Sequence, residues 1–218
     1  MLLIVSLNTY IIMTKILINY NFTPDKEWLG DDYLIYDRSD SKEYLKDFPQ
    51  EKIVYTENVG NVDYDKLCYI IDNYDDLPEV FLWGKTNLFK YITPEEYEIV
   101  KDNKTFTPLL TQEHKTYSDR NSPVCYYSAG MYHERNDNWY LNQFGTKYFN
   151  SFNEFAQNFQ LPNPPYIPFA PGGNYILTRD TVYKYGLDYY KRLASILPYC
   201  QLPGEAQMME RAYYLMWH

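Results

Sequence analysis

DYDKLCYIIDNYDDLPEVFLWG, residues 63–84, decides the fold. Over 63–74 the apolar residues Leu67, Ile70, Ile71 and Tyr74 recur at the spacing of one helix face. Leu77-Pro78 ends the helix, because proline lacks an N–H and restricts the residue before it. EVFLWG (79–84) is then a short apolar run and reads as a buried strand. A helix leading into such a strand is a crossover. Upstream, KIVYTENVGN (52–61) is a strand ending in a glycine turn, and DYLIYDRSD (32–40) and KILINYNF (15–22) are two more. A short helical turn, opened by Thr23-Pro24-Asp25, separates the first two. The order predicts an α/β fold, a sheet built with crossovers.

Toward the C-terminus, TPEEYEIVKD (93–102) and NSFNEFAQNF (150–159) read as short capped helices. A loop-rich stretch between them carries His114, Arg120, His133 and Arg135, and a surface position is expected for the two histidines. LPNPPYIPFAP (161–171) is extended by its prolines. NYILTRD then gives a late strand, DTVYKYGLDYYKRLASIL (180–197) a helix, and GEAQMMERAYYLMW (204–217) a closing helix. Neither a repeat nor a linker interrupts the 218 residues, so one domain is expected. The leader MLLIVSLNTYIIM (1–13) reads as an N-terminal extension. It is shorter than the roughly 20 residues a membrane span needs and lacks the basic start of a signal peptide.

A formal charge of −9 argues against unassisted nucleic-acid binding. Three widely spaced cysteines, Cys68, Cys125 and Cys200, fit a reducing, cytoplasmic setting better than a disulfide framework. The 26 tyrosines would suit stacking on bases or sugars, but an AT-rich coding sequence is the favoured explanation.

In an open α/β sheet the ligand lies beyond the carboxyl ends of the strands. Those ends are Asn19-Tyr20-Asn21, Tyr36-Asp37-Arg38, the turn at Asn58, Lys85-Thr86-Asn87 and, from the late strand, Thr178-Arg179-Asp180. The acidic run DNYDD (72–76) precedes its strand and is expected at the opposite edge. The sequence holds no GxSxG, HExxH, Walker or GxGxxG motif, which leaves the common hydrolase, NTPase and dinucleotide readings without support. What remains is APGGNYILTRD (170–180): adjacent glycines make either a tight turn or a surface against which a ligand lies.

NVGN through YDDLPEVFLWG, and the closing PGEAQMMERAYYLMW, resemble blocks of an uncharacterised protein family. GGNYILTRD resembles a segment of nucleotide-sugar glycosyltransferases of the GT-A fold, small viral capsid-decorating enzymes among them. The resemblance covers about half the chain and implies the GT-A fold, an α/β domain with a mixed, mostly parallel central sheet flanked by helices. It implies transfer of a hexose from a UDP-sugar, UDP-glucose or similar, to a glycan or glycoprotein acceptor, in the cytoplasm (a host's, if the chain is viral). It also implies Mn²⁺ or Mg²⁺ on the diphosphate, acting as a Lewis acid. On this reading Asn19, Tyr20, Asn21, Tyr36, Asp37, Arg38, Asn58 and Lys85 hold the nucleotide, with Asp37 on the uracil imide. Gly172, Gly173 and Asn174 lie against sugar. The fold's Asp-x-Asp metal motif has no counterpart in Trp83-Gly84-Lys85-Thr86-Asn87, so Thr86, Asn87 and His218 stand as substitute ligands, or Lys85 partly replaces the ion.

Glu205 and Glu210 on the closing helix are the candidate bases for the acceptor hydroxyl. Five residues put them roughly 140° apart, so only one is expected to face a site. Glu205, nearer the helix start, is expected to point into the cleft, with Glu210 as a partner for Arg211. A non-enzymatic sugar-binding or capsid-associated protein is the alternative, and a nucleotidyltransferase a third reading.

Overall fold

The structure is a computed structural model and describes residues 13–111, 125–128 and 130–218. Its centre is a six-stranded sheet in the order β3-β2-β1-β4-β9-β5. The strands are β1 (Thr14–Asn19), β2 (Tyr33–Asp37), β3 (Ile53–Tyr55), β4 (Val80–Lys85), β5 (Thr107–Pro108) and β9 (Tyr175–Thr178). β1 to β4 pair in parallel, and β9 runs antiparallel to both β4 and β5.

Both faces of this sheet are covered, which is why its strands read as continuous apolar runs. Ile16, Ile18, Phe81 and Trp83 point to one face; Leu17, Leu82 and Ile176 point to the other. The first face is packed by α2 (Asn61–Asp72), α4 (Phe152–Asn158), α6 (Leu187–Ser195) and α7 (Gly204–Trp217). The second lies under Leu29 of α1 (Lys26–Leu29) and Tyr97 of α3 (Pro94–Val100). Thr93 and Glu96 form a reciprocal capping box at the start of α3. The expected helix over 180–197 is two pieces, α5 (Arg179–Val182) and α6, parted by Gly186. Among the described residues no helix is long and apolar enough to cross a membrane.

A second sheet, β6 (Cys125–Ser128), β7 (Met131–Arg135) and β8 (Tyr166–Phe169), is antiparallel; β6 and β7 occupy the stretch expected to be loop-rich, and β8 lies in the stretch expected to be extended. Glu134 points inward from β7 and is buried, paired in a fork with Arg211 of α7 at 2.7 and 2.8 Å. The Arg211 guanidinium lies over the rings of Tyr140, at 3.7 Å, and Phe169. This pair fastens α7 to the small sheet. His133 stacks on Tyr126, and Arg135 pairs with Asp137 at the surface. His114, Arg120 and residues 1–12 of the leader lie outside the described residues.

The direction of β9 corrects one expectation. Its register, Val80 opposite Thr178 and Trp83 opposite Tyr175, reverses the strand relative to β4. Thr178-Arg179-Asp180 therefore sits at the amino edge of the parallel strands, where the Arg179 N–H donates to Glu79 O. The same reversal carries Gly172, Gly173 and Asn174 to the carboxyl edge. The acidic turn at 72–76 is at the amino edge, as expected: Arg179 reaches the neighbouring Leu77 O.

Candidate functional site

At the carboxyl ends of β4 and β1, the turn before β9 meets α2 and α7. The Asn174 side chain is fully buried, and its Oδ1 accepts the Lys85 N–H at 2.9 Å. Lys85 Nζ donates to the Tyr91 hydroxyl at 3.2 Å. Glu210 Oε1 accepts the Gly172 N–H at 2.7 Å, and its side chain keeps 18% of its surface open to solvent. Beneath the glycines, Lys66 Nζ donates to Gly173 O and lies 4.4 Å above the Trp83 ring. Tyr213 donates to Asp63 Oδ1 at 2.7 Å. Sequence reasoning singled out Lys85, Gly172, Gly173, Asn174 and Glu210, and the structure brings them together. It missed Asp63, Lys66, Tyr91 and Tyr213. The signal available was a Lys three residues after an Asp on the helix face that carries apolar Leu67 and Ile70.

The electrostatics follow from burial. Desolvation pushes the Asp63 carboxyl up, against the pull of Lys66 and the Tyr213 hydrogen bond. It pushes the Lys66 ammonium down, and Lys85 adds to that while Asp63 and Glu210 oppose it. For Lys85, burial also opposes the charge, but Tyr91, Glu210 and Asp63 together outweigh it and hold the pKa above its ordinary value. Lys85 thus stays cationic at the strand end.

Glycine is required at both turn positions. Gly172 has φ +84° and Gly173 φ +64°, a region L side chains rarely adopt. A methyl on Gly172 would enter the Tyr91 ring, 2.6 Å from Cδ1, and one on Gly173 would stand 3.3 Å from Lys66 Nζ. The close neighbours of this turn are therefore side chains of the protein itself.

On the β2 side the chosen residues divide. Asp37 is 2% exposed, and one of its oxygens, Oδ1, takes hydrogen bonds from Asn19 Nδ2 (3.0 Å), the Ser39 N–H (3.1 Å) and the Ser39 hydroxyl. Thr86 closes this network by donating its hydroxyl to Asn19 Oδ1. Asn19, Asp37 and Thr86 thus lock the ends of β1, β2 and β4 to one another, which is a structural duty. Tyr20 and Asn21 both bond Asp40 through their side chains, and the Asn21 N–H donates to the Ser39 hydroxyl at 2.8 Å. Arg38 is buried; it reaches Asn58 Oδ1 at 3.1 Å and Val59 O, holding the turn after β3. Its Nη1 stands 3.6 Å from Asp65 Oδ2.

Glu205 is wholly buried and fully engaged. Oε1 accepts the N–H groups of Lys147 (2.8 Å) and Tyr148 (2.7 Å), and Oε2 accepts the Tyr199 hydroxyl. It ties the 145–148 loop to the first turn of α7, so the structure removes it from the candidate bases. His218 stacks on Tyr214 at 4.4 Å and meets Phe106, on the β9 side of β4, while the Thr86 contacts run to β1. Among the described residues no group of three or more His, Cys, Asp or Glu could hold a metal ion. At the strand end the Thr86 hydroxyl is donated to Asn19, Asn87 Oδ1 is buried without a hydrogen-bond partner, and Lys85 supplies an ammonium. Thr86, Asn87 and His218 are not brought together as one ligand set, so no chemical step is derived through a divalent ion.

Asp65 gives a pH signature. Burial raises its carboxyl to about 6; Arg38 and the nearby Thr56 pull it back, and Asp63 adds to the rise. An unfolded aspartate titrates near 3.9. Between those values the folded chain keeps a proton that the unfolded chain has lost, so this group's contribution to stability falls as pH rises from about 4 to about 6. The size is roughly 3 kcal/mol. The difference in melting temperature between wild type and Asp65→Asn, measured across that window, is expected to shift in favour of the variant as pH rises. A constant difference would show that Asp65 titrates normally.

Compared with known proteins, the chain matches no family model, no curated protein and no solved structure.

Proposed function

We propose that the protein is a nucleotide-sugar glycosyltransferase of the GT-A type, transferring a hexose from a UDP-sugar to a glycan or glycoprotein acceptor. The observation that carries the reading is the meeting of Lys85, Glu210 and the Gly172-Gly173-Asn174 turn at the carboxyl edge of a mixed, mostly parallel sheet. That edge is where ligands of open α/β sheets lie. From β2 to β9 it crosses three strand spacings, about 14 Å, room for a base, a ribose and a diphosphate laid end to end.

In this reading Glu210 takes the proton of the acceptor hydroxyl. The hydroxyl oxygen bonds to the sugar's anomeric carbon as the bond from that carbon to the diphosphate oxygen breaks, and the electron pair leaves with UDP. Lys85 faces the charge that grows on the departing diphosphate, a preorganised cation of the kind that stabilises such a leaving group. One carboxylate at the reacting centre suits a single displacement with inversion.

The test is UDP release from UDP-glucose, with UDP binding followed by calorimetry. Binding is expected to survive EDTA within about threefold and to weaken roughly tenfold or more in Lys85→Ala, the loss of about 1.5–3 kcal/mol expected for a charge-assisted hydrogen bond. Binding that vanishes in EDTA would restore the metal, and unchanged binding in Lys85→Ala would remove the lysine from the phosphate site.

A further inference from the structure

Two adjacent glycines leave the backbone many torsions to adopt, so something must hold Gly172 and Gly173 in the pair observed, φ +84° and +64°. The Gly173 N–H closes a turn onto Ala170 O at 2.9 Å. The N–H that opens the pair donates from Gly172 to Glu210 of α7, and the carbonyl that closes it, on Gly173, accepts from Lys66 of α2. Three residues before Lys66, Asp63 accepts the Tyr213 hydroxyl, and Tyr213 stands three residues after Glu210. The contacts therefore close a ring: Glu210, Gly172, Gly173, Lys66, Asp63, Tyr213, and back along α7 to Glu210. Three hydrogen bonds join the turn, α2 and α7 pairwise. Asp63, Lys66 and Tyr213 are buried, while Glu210 reaches solvent.

Packing does not explain Lys66. None of its surface is exposed, and an apolar side chain commonly fills such a place at no loss of stability. Asp63 and the Trp83 ring offset the cost of burying the ammonium. What the lysine adds over an apolar residue is a donor aimed at the Gly173 carbonyl.

We propose that Lys66 is the positioning residue of this site. By holding the Gly173 carbonyl it sets the glycine pair, and through the Gly172 N–H it fixes the place of the Glu210 carboxylate. Lys66 touches no reacting atom; it acts through the turn. Asp63 is its counter-charge, and the Tyr213 bond ties that counter-charge to the helix that carries Glu210. A base must stand within hydrogen-bond reach of the proton it takes, and a misplacement of about 1 Å can cost about 10²-fold. The inference rests on the reading of Glu210 as the base of the transfer.

The test combines Lys66→Met with Asp63→Asn, so that the donor and its buried counter-charge leave together and the asparagine carbonyl still accepts the Tyr213 hydroxyl. Solvent exchange of the Gly172 amide, followed by NMR, is expected to quicken about tenfold or more in this double variant, with the Leu17 and Ile35 amides of the central strands unchanged. Turnover of UDP-glucose is expected to fall in kcat on the order of 10–100-fold, with KM near wild type. In the Glu210→Gln background the same pair of changes is expected to cost no further turnover, because the group that Lys66 positions is already disabled. Gly172 exchange at the wild-type rate, exchange quickened equally at Leu17 and Ile35, or a full additional loss in the Glu210→Gln background would each overturn the positioning role. If Gly172 alone quickens and the wild type does not turn over UDP-glucose, Lys66 still positions the turn and the transferase reading falls. If the wild type turns over UDP-glucose and Gly172 exchange is unaltered, the positioning role falls alone.

Discussion

Glu210→Gln is expected to reduce sugar transfer roughly 10²–10⁴-fold, the usual worth of a positioned general base, with UDP affinity unchanged. The substitution is close to isosteric, and a glutamine Oε1 can still accept the Gly172 N–H that Glu210 holds at 2.7 Å. What it cannot do is take a proton. Arg211 Nη1 also donates to Glu210 Oε2 at 3.4 Å, a contact the glutamine NH₂ cannot accept, but the guanidinium stays anchored in the fork with Glu134. Glu205→Gln is the natural contrast. Glu205 binds two backbone N–H groups and a tyrosine hydroxyl in a buried clamp, so its loss is expected to lower the melting temperature and leave turnover per folded molecule near wild type. Steady-state turnover together with thermal unfolding separates the two. Should Glu210→Gln turn over at the wild-type rate, the base lies elsewhere and the proposed chemistry fails.

The β-α-β block was legible because both kinds of order were local. β1 to β4 are apolar on both faces, and α2 repeats its apolar residues at helical spacing. The direction of β9 was not legible, since four residues of strand, Tyr175–Thr178, carry no sense of direction. Its reversal decides which end of that stretch reaches the site. The small sheet was hidden by its own chemistry. In β7 the inward positions are Tyr132 and Glu134, so a charged residue stands where alternation calls for an apolar one. The arginine that neutralises it is 77 positions away. Lys66 was concealed in the same way: a lysine on a helix reads as solvated, and only the assembled sheet shows Trp83, Asp63 and Gly173 O around it. Glu205 and Glu210 looked alike in sequence, and their roles part only through what the 145–148 loop and the Gly172 turn bring to each.

Gly172→Ala is expected to destabilise the fold by roughly 2–6 kcal/mol, a large share of the roughly 5–15 kcal/mol that holds a domain together. Two costs add. A non-glycine residue in the left-handed region costs about 1–3 kcal/mol, and Gly172 sits at φ +84°. Overpacking costs about 1–3 kcal/mol more, and the new methyl would overlap the Tyr91 ring. Gly173→Ala shares the first cost, at φ +64°, but its nearest neighbour is the Lys66 ammonium at 3.3 Å, so the smaller loss is expected there. Denaturant unfolding of Gly172→Ala, Tyr91→Ala and the double variant isolates the overlap, because removing the ring relieves the clash and leaves the backbone cost in place. A positive coupling of about 1 kcal/mol or more is expected. The consequence also reaches the site. Tyr91 is the hydrogen-bond partner of Lys85 Nζ, so a methyl that displaces the ring also moves the cation proposed to meet the diphosphate. Any Gly172→Ala protein that folds is therefore expected to bind UDP more weakly than wild type. A variant that melts within about 2 °C of wild type and binds UDP equally well would show that neither the torsion nor the ring contact constrains this turn.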